Sequence, residues 1–292
     1  MERQKITVPE IQAKKSRREK ILMLTSYDYP LALLADRAGM DMILVGDSLG
    51  MTMLGYENTL PVTMDEMIHH AKAVRRGARY ALLIGDMPFM AYQANIQEAV
   101  RNAGRFLKEA GMEAIKLEGG KEMAATVRAI VDSGIPAMGH IGLTPQSINR
   151  LGGFKTQGRD AATARILIED AVALEEAGCF AVLLEAIPDR VAAIITERLT
   201  IPVIGIGAGP HCDGQLLIVH DLLGLFDRFT PKFAKKYVDL SAEILKALAT
   251  YCQEVQSGAF PGPEHCFTIK DEELAKLTSR SPAPGHRVKA QV

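Results

Sequence analysis

A closed barrel of eight parallel β-strands, each followed by a helix and all in one domain, is the fold class the sequence predicts. Three observations lead there. Runs rich in Ile, Leu, Val and Met recur eight times along the 292 residues. Each run is continuously apolar instead of alternating, as strands buried on both faces of a parallel sheet are. Between the runs, apolar residues recur at intervals of three and four, the period of a helix with one buried face.

In order, the strand candidates are ILMLTSYD from Ile21, MDMILVGD from Met40, ALLIGD from Ala81, AIKLEGG from Ala114, PAMGHIG from Pro136, FAVLLEA from Phe180, PVIGIGAG from Pro202 and, least regular, VHDLLGL from Val219. The clearest helix runs from Asn95 to Ala110, with Ile96, Ala99, Val100, Ala103, Phe106, Leu107 and Ala110 on one face. Asn95 and Glu98 have the spacing of a capping box, and Gly111 supplies a left-handed stop. Thr63 and Glu66 open a second helix in the same way, and Asp160 and Asp189 are predicted N-caps of two more. Open doubly wound sheets hold about five or six strands, whereas α/β barrels hold eight in about 250 residues, so the repeat favours the barrel. Residues 1–20 are assigned to an N-terminal segment whose stretch from Val8 to Lys20 forms a short helix closing the barrel bottom. Residues 21–262 form the (β/α)8 TIM barrel, with a last helix from about Lys235 to Ser257, and residues 263–292 are a C-terminal extension and frayed tail.

Thirty-four Lys and Arg against thirty-five Asp and Glu leave a net charge of −1, so no global field draws nucleic acid or an anionic membrane. No run reaches the roughly eighteen apolar residues that span a bilayer, and the polar first residues lack the apolar core of a secretory signal. Cys179, Cys212, Cys252 and Cys266 lie far apart, without the pairing of a zinc site or the density of a secreted scaffold. A cytoplasmic protein acting on small molecules is expected.

Chemistry gathers where the strands end, because the loops that follow the strands of such barrels carry the catalytic groups. The ends here are acidic: Asp28, Asp47 with Ser48, Asp86, Glu118 with Lys116 two residues before it, then His140 and Glu185. Any one of these carboxylates could simply cap the next helix. Five on six consecutive strands repel one another unless something compensates, and magnesium, which takes hard oxygen ligands, is the natural compensation. Asp47, Asp86 and Glu118 come from adjacent strands and can reach one ion directly or through water, while Glu185 stands across the rim, free to act as a base. Lys116 points to the same side as Glu118, where it can hold a substrate carboxylate or pair with Asp86 or Glu118. His140 is either a core histidine bonded to a carbonyl or a metal ligand, the former favoured because the nearby ligands are all hard oxygens, and substrate hydrogen bonding is compatible with both. Met51, Met53, Met87 and Met90 are expected to line the mouth, the glycines of GIGAG from Gly205 allow a ligand close to the backbone, and His69 and His70 are expected on a solvated helix face or a subunit contact.

The segments GDSLGMTMLGYENTLPVTMDEM from Gly46, GDMPFMAYQ from Gly85, KLEGG from Lys116, GHIGLTPQS from Gly139, GGFKTQGR from Gly152, LLEAIP from Leu183, GIGAGPHCDGQ from Gly205 and GAFPGPEHCF from Gly258 closely resemble the ketopantoate hydroxymethyltransferase family. The resemblance runs from about Lys5 to Phe267. It implies transfer of a hydroxymethyl group from methylenetetrahydrofolate, the co-substrate, to α-ketoisovalerate, with magnesium, in a large homo-oligomer, a decamer. It also implies Asp47, Asp86 and Glu118 at the metal, Asp47, Ser48, Asp86, Lys116 and His140 at the substrate, and Glu185 as the base. Two other readings compete. A magnesium enzyme of the phosphoenolpyruvate mutase and isocitrate lyase group would need a cysteine in a loop flanked by lysine and glycine, which none of the four has. A non-catalytic binding barrel would use the acids only as caps and buried ion pairs.

Overall fold

The computed structural model describes residues 3–278. The chain divides into two compact units, Met1–Leu240 and Ser241–Val292. The first is a closed barrel in the order β1-β2-β3-β4-β5-β6-β7-β8, every neighbouring pair parallel. Its strands are β1 (Ile21–Thr25), β2 (Met42–Val45), β3 (Leu82–Asp86), β4 (Ala114–Glu118), β5 (Ala137–Gly142), β6 (Ala181–Glu185), β7 (Val203–Ile206) and β8 (Gly214–Leu217). Seven of the eight coincide with the expected runs. The eighth does not, because Val219–Leu223 is a short helix, while the strand is GQLL just before it, bonded to both β1 and β7. Gln215 and its flanking glycine broke the apolar run that marks the other strands.

Two apolar layers follow from the alternation along each strand. Met42 and Leu44 point into the barrel, where they pack with Ile21, Met23, Leu82, Ile84, Met138 and Ile204. Ile43 and Val45 point outward, against the helices. Helix α1 (Val8–Ser16) plugs the N-terminal end: Ile11, wholly buried, belongs to the interior layer, and Lys14 and Lys15 bridge to Asp41 and Asp213, 2.8 Å each.

The inward positions change character toward the C-terminal end. On β3 they read Leu82, Ile84, Asp86; on β4 Ala114, Lys116, Glu118; on β5 Met138, His140; on β6 Ala181, Leu183, Glu185. Apolar residues thus fill the lower barrel, and charged ones crowd the rim where strands release their loops.

The helices outside are held at predictable ends. In α4 (Met64–Gly77) Thr63 and Glu66 close the full capping box. In α5 (Ile96–Ala110) Asn95 accepts from the Glu98 amide and Gly111 turns left-handed at φ 68°, but Glu98 does not reach back to the Asn95 amide. Asp160 caps α8 (Ala161–Glu176), whereas Asp189 is the first residue of α9 (Asp189–Arg198), with Pro188 ahead of it. Asp28, expected at the end of the first strand, lies beyond β1 and caps α2 (Tyr29–Arg37) through the Leu31 amide at 2.8 Å. His70 bonds the Tyr27 carbonyl at 2.7 Å, so only His69 of the pair is exposed. The second unit carries α11 (Leu240–Ser257) and α12 (Asp271–Thr278). Among the described residues no helix is long and apolar enough to cross a membrane.

Gly85 shows how tightly the sheet and helix layers meet. A side chain there would enter the ring of fully buried Phe106 on α5. Gly85→Ala is therefore expected to cost about 1–3 kcal/mol, the range for overpacking, measured by denaturant unfolding. Phe106→Leu in the same chain should recover part of that loss, and strictly additive effects of the two substitutions would count against the packing account.

Candidate active site

One cavity of about 550 Å³ opens at the C-terminal mouth of the barrel, and Asp47, Ser48, Asp86, Lys116, Glu118, His140 and Glu185 all line it. Asp28 does not. Of the four methionines expected there, only Met51 lines it; Met87 is buried beneath, and Met53 and Met90 face solvent.

Lys116 sits at the centre of the polar floor. Its ammonium lies 2.8 Å from Asp86 Oδ1, both side chains at 3% exposure or less. It is also 3.2 Å from His140 Nδ1. An ammonium only donates, so Nδ1 accepts and the network assigns the imidazole proton to Nε2, 3.2 Å from Glu185 Oε2. Glu118 Oε1 stands 3.6 Å from the same imidazole. The Asp47 amide donates to Asp86 Oδ2 at 3.0 Å, which ties the loop after β2 to the end of β3. Tyr27, fully buried, is 2.8 Å from Ser48 Oγ through its hydroxyl.

Gln146, from the loop after β5, is the residue that the strand-end pattern did not single out. Its side-chain amide donates to Asp47 Oδ2 and to the Met87 carbonyl, 2.9 Å each, and its backbone amide donates to Glu118 Oε2 at 3.0 Å. Tyr92 in turn donates to Gln146 Oε1 at 2.8 Å and accepts from the Glu118 amide at 3.0 Å. The only sequence signal for it was its place in GHIGLTPQS, because a polar loop residue has no periodicity to betray it.

Among the acids of the site two buried carboxylate oxygens remain without a hydrogen bond, Asp86 Oδ1 and Glu118 Oε1. The first is close to Lys116 but off the hydrogen-bond direction, so that contact is an ion pair. Among the described residues no three of His, Cys, Asp and Glu gather closely enough to hold an ion by themselves. The acids that fit a hard cation best are therefore the adjacent pair Asp47 and Asp86, which suits magnesium, an ion usually held by one or two carboxylates plus water and substrate. No cysteine lines the cavity.

Burial sets the electrostatics. It pushes Asp47 up to about 7, with the neighbouring Asp86 adding to the shift, and it raises Asp86 and takes Glu118 well above the carboxylate range. Burial opposes the charge on Lys116, but Asp86, Glu118 and Asp47 outweigh it and hold the ammonium above the ordinary lysine range. The same burial, aided by Lys116, keeps His140 neutral. Glu185, 15% exposed at its side chain, is pushed up to about 8 by burial, against the pull of Lys116.

A model of the family described as ketopantoate hydroxymethyltransferase matches residues 5–263. The chain belongs to that family. Curated relatives named 3-methyl-2-oxobutanoate hydroxymethyltransferase include one from Moorella thermoacetica, 59% identical over 91% of this chain and 99% of its own length. Another, from Syntrophomonas wolfei subsp. wolfei, is 57% identical over 94% and 99%. Among solved structures, phosphonopyruvate hydrolase matches at 12% identity with a TM-score of 0.60 over 94% of each chain. The phosphoenolpyruvate phosphomutase of Streptomyces platensis subsp. rosaceus matches at 16% and 0.58, over 86% and 88%. These last likenesses give this family member its fold and no more.

The raised carboxylates carry a signed consequence. Asp47 and Glu185 keep protons in the folded chain that the unfolded chain releases near pH 4, so between about pH 4 and 8 folding is increasingly opposed as pH rises. With divalent ions chelated, Tm is expected to fall from pH 5 to pH 8. Asp47→Asn should flatten that decline, and an equal slope in both proteins would contradict the assignment.

Proposed function

We propose that this chain transfers a hydroxymethyl group from methylenetetrahydrofolate to α-ketoisovalerate (3-methyl-2-oxobutanoate), yielding ketopantoate, with magnesium held by Asp47 and Asp86 and one of the ion's waters held by Glu118. What supports the activity is the family and its relatives 54–59% identical to this chain, which are named 3-methyl-2-oxobutanoate hydroxymethyltransferase. The observation that carries the mechanism is the separation of roles in the cavity: paired acids and a buried ammonium on β2 to β4, and a carboxylate on β6 across from them. Magnesium supplies Lewis-acid polarisation of the chelating 2-oxo acid.

The residues do the rest. Lys116 keeps its charge in the buried floor, so it can receive the keto acid's carboxylate and offset negative charge that develops on the oxo oxygen. Ser48, fixed by Tyr27, and His140, neutral with its proton on Nε2, donate hydrogen bonds without adding charge. Glu185 removes the proton from C3, and C3 and a water oxygen then bond to the one-carbon unit as its two bonds to the donor's nitrogens break. The proton taken by Glu185 and one water hydrogen become the carrier's two N–H bonds, and the other water hydrogen stays on the new hydroxyl. Glu185 suits this step because its elevated affinity for protons makes it a stronger base than a solvated glutamate. The four free cysteines agree with a reducing, cytoplasmic setting, and the family resemblance supports a large homo-oligomer.

Asp86→Asn is expected to weaken magnesium binding in the presence of α-ketoisovalerate by tenfold or more in calorimetric titration, since an amide is a poorer ligand for a hard cation. Unaltered affinity would remove Asp86 from the metal.

Glu185→Gln keeps the side chain's shape and removes its basicity. Exchange of the C3 proton of α-ketoisovalerate with solvent, followed without folate, should slow by about a hundredfold or more, the lower range of general-base contributions. In the unsubstituted protein the rate should climb with pH as Glu185 loses its proton, and in the variant that rise should vanish. Normal exchange with failed product formation would move Glu185 to the transfer step instead.

A further inference from the structure

The cavity is larger than a five-carbon keto acid requires, lying within the range of about 300–1,000 Å³ that accommodates drug-sized ligands. It also has two ends of different chemistry. Away from the acids, Phe154, Phe226, Phe229 and Phe233 line it together with Lys155 and Lys232. Phe229 meets Phe226 edge-on at 5.5 Å between ring centres and lies 6.2 Å from Phe154. Phe154 and Phe229 remain 48% and 45% exposed.

Four further features mark this end as built to receive something. Neither Lys155 nor Lys232 has an ion pair or hydrogen bond to its ammonium among the described residues. Asp221, only 5% exposed and in the first turn after β8, lines the cavity with no hydrogen bond to its carboxylate among those residues. Arg228 donates to the carbonyls of Gly55 and Tyr56, 2.9 and 3.0 Å, and so fastens the loop bearing Phe226 and Phe229 to the loop after β2 across the mouth. Gly207, at φ 66°, leaves the space that the Phe233 ring occupies, since a side chain there would meet it at 2.5 Å.

We propose that this outer chamber is the binding site of the one-carbon donor, recognised as a reduced pterin with an acidic tail. The fused ring packs against Phe229 and Phe154, the ring edge that carries adjacent N–H groups is held by Asp221, and the tail carboxylates are met by Lys155 and Lys232. The proposal rests on the transfer reaction proposed above. That reaction needs the donor in the same cavity as the keto acid, close enough for the reacting carbons to touch. Phenylalanine rings offer offset stacking to a flat heterocycle, a carboxylate accepts two parallel N–H bonds, and free ammonium groups complement an anionic tail. The keto acid, neither aromatic nor an N–H donor, satisfies neither the phenylalanine rings nor Asp221, and its single carboxylate is met by Lys116 on the other side of the cavity.

Titration calorimetry with tetrahydrofolate and with 6-methyltetrahydropterin, which lacks the acidic tail, tests each part in the full-length protein with magnesium and α-ketoisovalerate present. Phe229→Leu and Asp221→Asn should each weaken both ligands by tenfold or more. Lys155→Glu combined with Lys232→Glu should weaken tetrahydrofolate by tenfold or more while shifting 6-methyltetrahydropterin by less than threefold. Affinity for α-ketoisovalerate, titrated alone with magnesium, should stay within threefold of the unsubstituted protein in all of them, which excludes collapse of the fold as the cause. Tetrahydrofolate binding unchanged in these variants overturns the site. A protein that neither binds tetrahydrofolate nor exchanges the C3 proton of the keto acid overturns instead the reaction on which it rests.

Discussion

The ammonium of Lys116, 2.8 Å from Asp86 and with 3% of its side chain exposed, makes the rest of the site possible. Asp47, Asp86, Glu118 and Glu185 share one cavity, and such a set of carboxylates in a low-dielectric pocket raises the proton affinity of each member until the charge is lost. The fixed ammonium of Lys116 on β4 opposes that tendency for all four. Removing it would do more than break one ion pair, because it would leave an uncompensated acid cluster in a buried chamber. Its position depends only on the two-residue period of β4, which sends Ala114 into the apolar layer and Lys116 and Glu118 into the rim.

The fold was legible because a barrel strand buried on both faces cannot hide its apolar run, and seven of the eight strands announced themselves so. Gly214–Leu217 failed that test: one of its four residues is glycine and Gln215 faces out, so the neighbouring run of Val219–Leu223 looked more like a strand than the strand did. The site residues that could be read are those fixed by strand parity. Asp86, Lys116, Glu118, His140 and Glu185 are inward positions at strand ends, and alternation alone gathers them. Asp47 and Ser48 lie just past β2 and could still be placed by their distance from it.

What could not be read comes from loops. Gln146 reaches Asp47, Glu118, Met87 and Tyr92 at once, yet nothing in its neighbours' periodicity says that its loop folds back over the acids. The methionines mark the same limit, since Met51 and Met53 are two residues apart on a helical turn and a loop, not a strand, and so cannot share a face. Hydrogen bonds from Gln146 to one oxygen each of Asp47 and Glu118 leave the other oxygens of these acids for a ligand. The loop therefore determines orientation where the strands determine position.

Position also separates the acids by task. Asp86 pairs with Lys116 at 2.8 Å and accepts from the Asp47 amide, and the ammonium lowers the proton affinity of both acids, the arrangement that on the proposed function keeps them available as charged ligands. Glu185 stands beyond the neutral His140, on the far strand, and only its burial and distant acids act on it against Lys116. A carboxylate so placed retains a high proton affinity, and on the proposed function the acids across the cavity give theirs up to a metal, so that two environments in one chamber sort ligands from base. Barrels with 12–16% identity to this chain share its fold, and a fold does not by itself fix a reaction, so the chemistry resides in which inward positions carry charge and which loop holds them in place.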